Sequence, residues 1–459
     1  MSASSGPQTL DGASSGVEAP AQRCPAATLL FSRFEPFPDP PRSTDPLDWP
    51  KYSDRLDEAR ERTGSVQAVT AGTAFVNGQP CVAVTFDFGF LGGSMGQAEG
   101  ALIVRAIQEA TSNRWPLVSV ARSGGARMQE GTLSLMQMTH VARALVALAA
   151  AGTPHIAVVD DPTTGGVWAA LTSAADIVVA RVGAQVGFAG SRVRSGLLTS
   201  GSPSSAEGKH AAGFVDVLSD DDDLAATVGS YLHLLSPLTR GECAPPDLPR
   251  AAPGAADSDL HGWDSVVAAR SPARQTGERY LADYFESIQT ISGDRAGGVD
   301  PQLKCGVGRR DGRSIAFICQ LGGTAHPSGF RTARRVLALA ERLCLPVITL
   351  IDTTGADNSP EGELLGIGTS IAEMLQQVAA ATVPMLSVVV GQGVSGGAIA
   401  LVNPDNLWMA PDSYLAVIAP ESAAAILKQD ANTAPRLAQR LALSPQDLVA
   451  LGVARGTMR

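Results

Sequence analysis

The chain has 459 residues, 44% of them hydrophobic, enough for two or three domains that each bury a core. A formal net charge of −10 excludes an extended nucleic-acid surface but leaves room for a local basic pocket that takes a phosphorylated ligand. The six cysteines (Cys24, Cys81, Cys243, Cys305, Cys319 and Cys344) form no C-x-x-C pair, which argues against structural zinc and against a secreted disulfide framework.

Residues 1–20 are rich in Ser, Gly, Ala and Pro, without a basic start followed by an apolar core, and read as a disordered tail rather than a signal peptide. Apolar runs such as Leu345–Leu350 and Met385–Val390 are far too short for a membrane span, so a soluble, cytoplasmic protein is expected. From Pro116 onward a unit recurs. Short apolar strands begin at Pro116 and Pro154, 38 residues apart, and again at Pro346 and Pro384 with the same spacing and an offset of 230. That offset carries Leu91-Gly92-Gly93 onto Leu321-Gly322-Gly323 and Gly125-Ala126 onto Gly355-Ala356. Gly165-Gly166 falls one residue short of Gly396-Gly397, which reads as a single-residue slip.

Each copy reads as strand, Gly-rich turn and helix, then strand, Gly-Gly turn and helix: an α/β chain with buried parallel strands. Met128–Leu148 is a long helix candidate, with Phe330–Leu343 as its expected counterpart. The boundary between the copies is expected in Pro237–Asp264, where Pro, Asp, Gly and Ala cluster without periodicity. The acidic run Asp220–Asp223 reads as a solvated turn.

Three turns, Ser123-Gly124-Gly125, Thr164-Gly165-Gly166 and Ser395-Gly396-Gly397, each follow a strand and open a helix. Unpartnered amides at a helix start, with no side chain in the way, can hold a phosphate or a developing enolate oxygen. Tight strand-to-helix packing is the plainer explanation of any single Gly-Gly pair, and three in repeated positions weaken it. Gly393-Val394-Ser395-Gly396-Gly397 also satisfies G-x-S-x-G, but no histidine follows Ser395, so the usual hydrolase order is unavailable. No H-E-x-x-H spacing and no phosphate-binding G-x-x-x-x-G-K-[ST] loop is present.

At these motifs the chain resembles a known family. Phe88–Gly96, Ser123–Gly131, Asp161–Val167 and Gly187–Gly190, with Asp45–Trp49 ahead of them, are similar to the β subunit of bacterial acetyl-CoA carboxylase carboxyltransferase. Pro327–Arg331, Pro346–Ala356, Gly393–Ala398 and Val417–Ser422 resemble the α subunit. The resemblance covers about residues 45–450, in the order β then α. It implies two tandem crotonase-like domains of ββα-superhelix fold: 45–240 β-like, 241–264 a linker, and 265–459 α-like, behind a disordered or extended segment 1–44 without the family's zinc ribbon. It further implies carboxyl transfer from carboxybiotin, on a separate carrier protein, to a small acyl-CoA, with acetyl-CoA to malonyl-CoA as the default. A biotin carboxylase would be a second partner, and a homo-oligomer is expected; zinc, nucleotide, nucleic acid and membrane are not.

Carried over residue by residue, Gly165 and Gly166 would serve the thioester oxygen, with Gly124 and Gly125 shaping the acyl-CoA pocket. Gly396 and Gly397 would serve the biotin carbonyl, with Ile371 and Ala372 lining that side. Arg127 and Arg192 are candidates for CoA phosphate, or alternatively for structural ion pairs. Thr354 stands where the family commonly has Pro, and Asp357-Asn358 replaces a Tyr-Pro-containing loop. These departures open two alternatives: a decarboxylase or specialised carboxyltransferase acting on an unusual or carrier-bound acyl group, and a non-catalytic acyl-CoA-binding scaffold.

Overall fold

The computed structural model describes residues 24–189, 201–252 and 260–459. In the first half, β1 (Arg33–Pro36), β2 (Val69–Val76), β3 (Gln79–Phe86), β4 (Leu117–Ser123), β5 (His155–Thr164), β6 (Ile177–Arg181) and β8 (Val217–Ser219) lie side by side in that order. The short β7 (Val186–Gly187) pairs with the end of β5. The first three strands are antiparallel and the rest parallel, so the sheet is mixed where the sequence suggested parallel pairing. Asn77-Gly78, both at positive φ, supplies the two-residue turn that joins β2 to β3.

The second half repeats this with β9 (Ser287–Thr290), β10 (Leu303–Arg310), β11 (Arg313–Gln320), β13 (Val347–Thr353), β15 (Met385–Val394), β16 (Leu407–Met409) and β18 (Gly456–Thr457). Asp311-Gly312 turns β10 into β11 in the same way. A small separate pair is formed by β12 (Thr324–Ala325) and β14 (Gly355–Ala356), and β17 (Tyr414–Ala416) pairs with the end of β15.

The 38-residue spacing is the register of neighbouring parallel strands: Leu117 lies beside His155, and Val347 beside Met385. The carbonyls of Pro154 and Pro384, having no amide hydrogen of their own to pair, start those ladders by accepting from Leu117 and Val347, each at 2.9 Å. These strands are buried on both faces, which accounts for their nearly unbroken apolar sequence.

Two expectations need correction. Pro327–Leu343 corresponds to Gln97–Asn113, not to the long helix; the counterpart of Gly131–Ala150 is Ile367–Ala380, again 230 residues on at its last residue. Helices of different rank carry the same apolar periodicity, so periodicity alone does not distinguish them. Within the N-terminal segment, Pro25–Leu30 is helical and β1 forms the sheet edge, with Cys24, Ala26, Ala27 and Leu30 buried, so this part is a packed element. Asp220–Asp223 is an exposed turn.

Both halves share one apolar cluster, running from Val76, Val118 and Val158 to Val336, Leu343 and Val347. Polar contacts lock the seam. Asp216, its side chain fully buried, meets Arg295 at 2.5 Å and Arg335 at 2.6 Å, both from the second half. Residues 244–252 run along the second half, where Arg313 donates to the carbonyls of Ala244 and Pro245 and the Ala251 amide donates to that of Arg459.

Candidate active site

The glycine turns stand at the C-terminal ends of the parallel strands, where open α/β sheets place their ligands. After β4 the chain turns at Ser123-Gly124-Gly125. The Ser123 hydroxyl accepts from the Gly125 amide at 3.0 Å and donates to the Gly93 carbonyl at 2.6 Å, while the Gly124 amide donates to Gly92 at 2.8 Å. The turn is thus braced against the Leu91-Gly92-Gly93 loop behind it. In the second half the Thr353 hydroxyl does the same work, accepting from Gly355 at 3.1 Å and donating to Gly323 at 2.8 Å.

After β5 the helix Gly165–Val167 begins, with Gly165 at φ 64°. A Cβ on Gly165 would lie 3.0 Å from the Gly125 Cα, so the two turns touch backbone to backbone and a side chain on either glycine, both at positive φ, is strained. On its other side Gly166 is covered by Met138, whose methyl would lie 2.6 Å from a Cβ there. As the first residues of a helix, Gly165 and Gly166 have amides that no intrahelical carbonyl can satisfy. Gly124 is exposed and Gly165 half-buried, so the crevice between these turns opens to solvent.

The second half builds the same object without the slip. Ser123 pairs with Thr163, and Thr353 with Gly393, at a constant offset of 230. The residue equivalent to Gly165 is therefore Ser395, which adopts the same left-handed backbone at φ 57°. Gly166 corresponds to Gly396, and Gly397 corresponds to Val167. Identity of the Gly-Gly letters concealed this register, because the strained position holds a glycine in one half and a serine in the other. Gly397 is a packing glycine: a Cβ would meet the Ala356 amide nitrogen at 2.7 Å, and its carbonyl accepts from Gln320 at 2.9 Å. No histidine nitrogen is hydrogen-bonded to the Ser395 hydroxyl among the described residues, so this turn lacks a hydrolase's base.

Both halves thus present one helix start, whose first amides have no intrahelical acceptor, set against a glycine turn from the preceding strand. The acetyl co-enzyme A carboxylase carboxyltransferase-like family model matches residues 254–458. The fused β/α carboxyl transferase of Salinispora arenicola acetyl-coenzyme A carboxylase is 39% identical over 92% of this chain and 78% of its own length. The chain belongs to the acetyl-CoA carboxylase carboxyltransferase family. A probable biotin-dependent acyl-coenzyme A carboxylase β3 subunit of Mycobacterium bovis is 34% identical over 88% of this chain and 82% of its own length. In fold, this carboxyltransferase is like the transcarboxylase 12S core, with a TM-score of 0.77 at 20% identity over 94% of this chain and 85% of that one. Its two sheets with their turns are the crotonase-like architecture.

The carboxyltransferase uses Arg127 as a structural residue. Only 1% exposed, it donates to Glu99 at 2.7 Å, the Ser94 hydroxyl at 2.6 Å and the Tyr52 hydroxyl at 3.0 Å, with Glu130 at 3.5 Å. Burial alone would raise the Glu99 carboxyl, but Arg127 and the Ala68 amide outweigh it and hold it below its usual range. A CoA phosphate has no route to this guanidinium. An arginine beside the turn that retains partial exposure is Arg122, half-buried, stacked 5.4 Å over the Phe88 ring and donating to the Asp161 carbonyl at 2.5 Å. Its place at the end of β4, one residue before the turn, was the available signal. Arg192 lies outside the described residues. Ile371 stands against Gly396, 3.7 Å from where a Cβ would be, while Ala372 is exposed on the next position of the helix.

Proposed function

We propose that this carboxyltransferase moves a carboxyl group from carboxybiotin, borne by a separate carrier protein charged by a biotin carboxylase, to acetyl-CoA, giving malonyl-CoA. Carboxyl transfer between biotin and an acyl-CoA is the chemistry of its family. The observation that carries the reading is the pair of repeat-related helix starts. One set of amides, at Gly165 and Gly166, is assigned to the thioester oxygen as negative charge develops on it. The other, at Ser395 and Gly396 with Gly397 packed behind them, is assigned to the biotin carbonyl; each amide is worth about 3 kcal/mol by analogy with other oxyanion donors. The second turn is open to a ring borne on a carrier: Ser395 is exposed, and the nearest atom to a Cβ built on Gly396 is an Ile371 methyl at 3.7 Å. Segments 45–240 and 265–459 are the acyl-CoA and biotin units in this reading.

Exposed apolar side chains support a homo-oligomer. Leu135, Met136 and Val146 project from the helix Gly131–Ala150, and Leu364 (87% exposed) and Val417 (72%) from the second half. That helix is apolar enough by length and composition to span a membrane, and its buried Val141, Ala144 and Leu148 pack on the first half. The enzyme is assigned to the cytoplasm.

The test is malonyl-CoA turnover by the full chain with and without biocytin, beside Gly166→Val. Biocytin-dependent loss of malonyl-CoA that disappears in the variant is the expected result. A specialised acyl group is the second reading, favoured by the altered loop 354–358; activity on a longer acyl-CoA but not on malonyl-CoA would select it.

A further inference from the structure

The two halves share a backbone at their turns and differ in what packs on it. The first-half crevice is walled by Gly124, Gly125, Gly165 and Gly166, so the wall itself has no side chain that can select a substrate by size. A Cβ built on Gly124, Gly125 or Gly165 would meet backbone atoms first. On Gly166 it would meet Met138, the methyl at 2.6 Å and the sulfur at 2.9 Å. The side chain packed on this wall is therefore a methionine from the helix Gly131–Ala150.

That helix buries Ser134, Gln137, Val141, Ala144 and Leu148, and Met138 stands at the edge of this stripe. It is half-buried, packed on the apolar cluster that contains Val167 and Leu171. The second half repeats the stripe 230 residues on, where Ile367, Met374 and Val378 are buried like Gln137, Ala144 and Leu148. In that register Gly396 answers to Gly166 and Gly368 to Met138. Gly166 is buried, whereas Gly396 is half-buried and Gly368 exposed, with nothing within 4 Å of a Cβ built on Gly368. One turn is covered by a long side chain, and at its counterpart that side chain is absent.

We propose that Met138 sets the size of acyl group accepted at the first-half site, admitting acetyl and rejecting acyl groups with a longer α substituent. The inference rests on the carboxyl-transfer reading above and adds no chemical step to it. With the thioester oxygen on the Gly165 and Gly166 amides, the acyl α-carbon is bonded to the carbon that bears this oxygen. A substituent on it is thus brought toward whatever covers Gly166. An added carbon must push the Met138 methyl aside, and one carbon in an apolar pocket typically changes selectivity by about 10- to 200-fold. The unbranched thioether fills an irregular gap well, which suits a residue lying across a bare glycine.

The experiment compares the full chain with Met138→Ala and Met138→Leu in biocytin-dependent turnover of malonyl-CoA, methylmalonyl-CoA and ethylmalonyl-CoA. In the wild type, kcat/KM should fall along that series. Met138→Ala should raise the ethylmalonyl-to-malonyl ratio of kcat/KM by about tenfold or more, and Met138→Leu, of similar volume, should hold it within about threefold. A purely structural role would lower Tm and slow all three substrates alike, leaving the ratio where it was. A readout independent of turnover is the 13C-methyl resonance of Met138, assigned by its loss in Met138→Leu. It should move when acetyl-CoA is added and stay in place with CoA alone, and it decides the matter if Met138→Ala does not fold. An unchanged ratio in folded Met138→Ala overturns the inference alone. So does a wild type that takes ethylmalonyl-CoA as readily as malonyl-CoA, or a Met138 methyl that responds alike to acetyl-CoA and CoA. No biocytin-dependent turnover of any of the three by the wild type overturns the carboxyltransferase reading and this inference with it.

Discussion

Gly165 shows how little freedom single residues have at this site. Gly165→Ala must place a Cβ at φ 64° and 3.0 Å from Gly125, which should destabilise the fold by about 1–3 kcal/mol in urea unfolding and abolish turnover. Arg127→Ala strands Glu99 in the interior and should cost about 3–5 kcal/mol of stability; a weaker KM for acyl-CoA at unchanged stability would instead restore its phosphate role. His155 links the core to pH. Burial, and secondarily Arg342, pushes its imidazole down to about 3; Nε2 lies 2.9 Å from the Ser119 hydroxyl, and Nδ1 has no hydrogen-bond partner among the described residues. The folded state therefore keeps His155 neutral while the unfolded chain protonates it near pH 6.5. Its contribution is complete above that value and falls away toward pH 3, at about 1.4 kcal/mol per pH unit. Unfolding free energy measured across pH 4–7 should show this slope in the wild type and a shallower one in His155→Gln.

At the scale of elements, the repeat is carried by backbone hydrogen bonds more faithfully than by side chains. Ser123 and Thr353 hold their turns by the same pair of bonds, although one precedes Gly124 and the other Thr354. Ser395 carries a β-carbon in the left-handed conformation at φ 57°, a strain it shares with Leu91 and Ala442. Ser395→Gly should raise stability by up to about 1 kcal/mol with the fold unchanged, read as a higher midpoint in guanidinium. Strand starts at Pro116, Pro154, Pro346 and Pro384 were legible because a proline before an apolar run marks where a parallel ladder begins. Helix rank is not legible from apolar periodicity, since Gln97–Asn113 and Gly131–Ala150 both carry apolar residues at helical spacing; the 230-residue offset is what pairs Gln97–Asn113 with Pro327–Leu343.

At the scale of the molecule, the halves are joined by a shared apolar cluster and by Asp216 between Arg295 and Arg335. Desolvation pushes Arg295 down to about 10 even with this carboxylate beside it, so removing Asp216 leaves two cations in a costly place. Asp216→Ala should lower stability by about 3–5 kcal/mol and separate a single calorimetric transition into two.

The sequence alone carried the strand–turn–helix order, the repeat at 230, the glycine turns and the family, because these rest on local rules: strand periodicity, glycine at positive φ, and long motifs. Tertiary structure decided what depends on distant partners. It buried Arg127 against Glu99 from the helix Gln97–Asn113, stacked Arg122 on the Phe88 ring, and brought His326 against Asp357 across 31 residues. None of these follows from spacing, since each is fixed by the three-dimensional packing of one element on another, where a side chain's role is set by whether water can reach it.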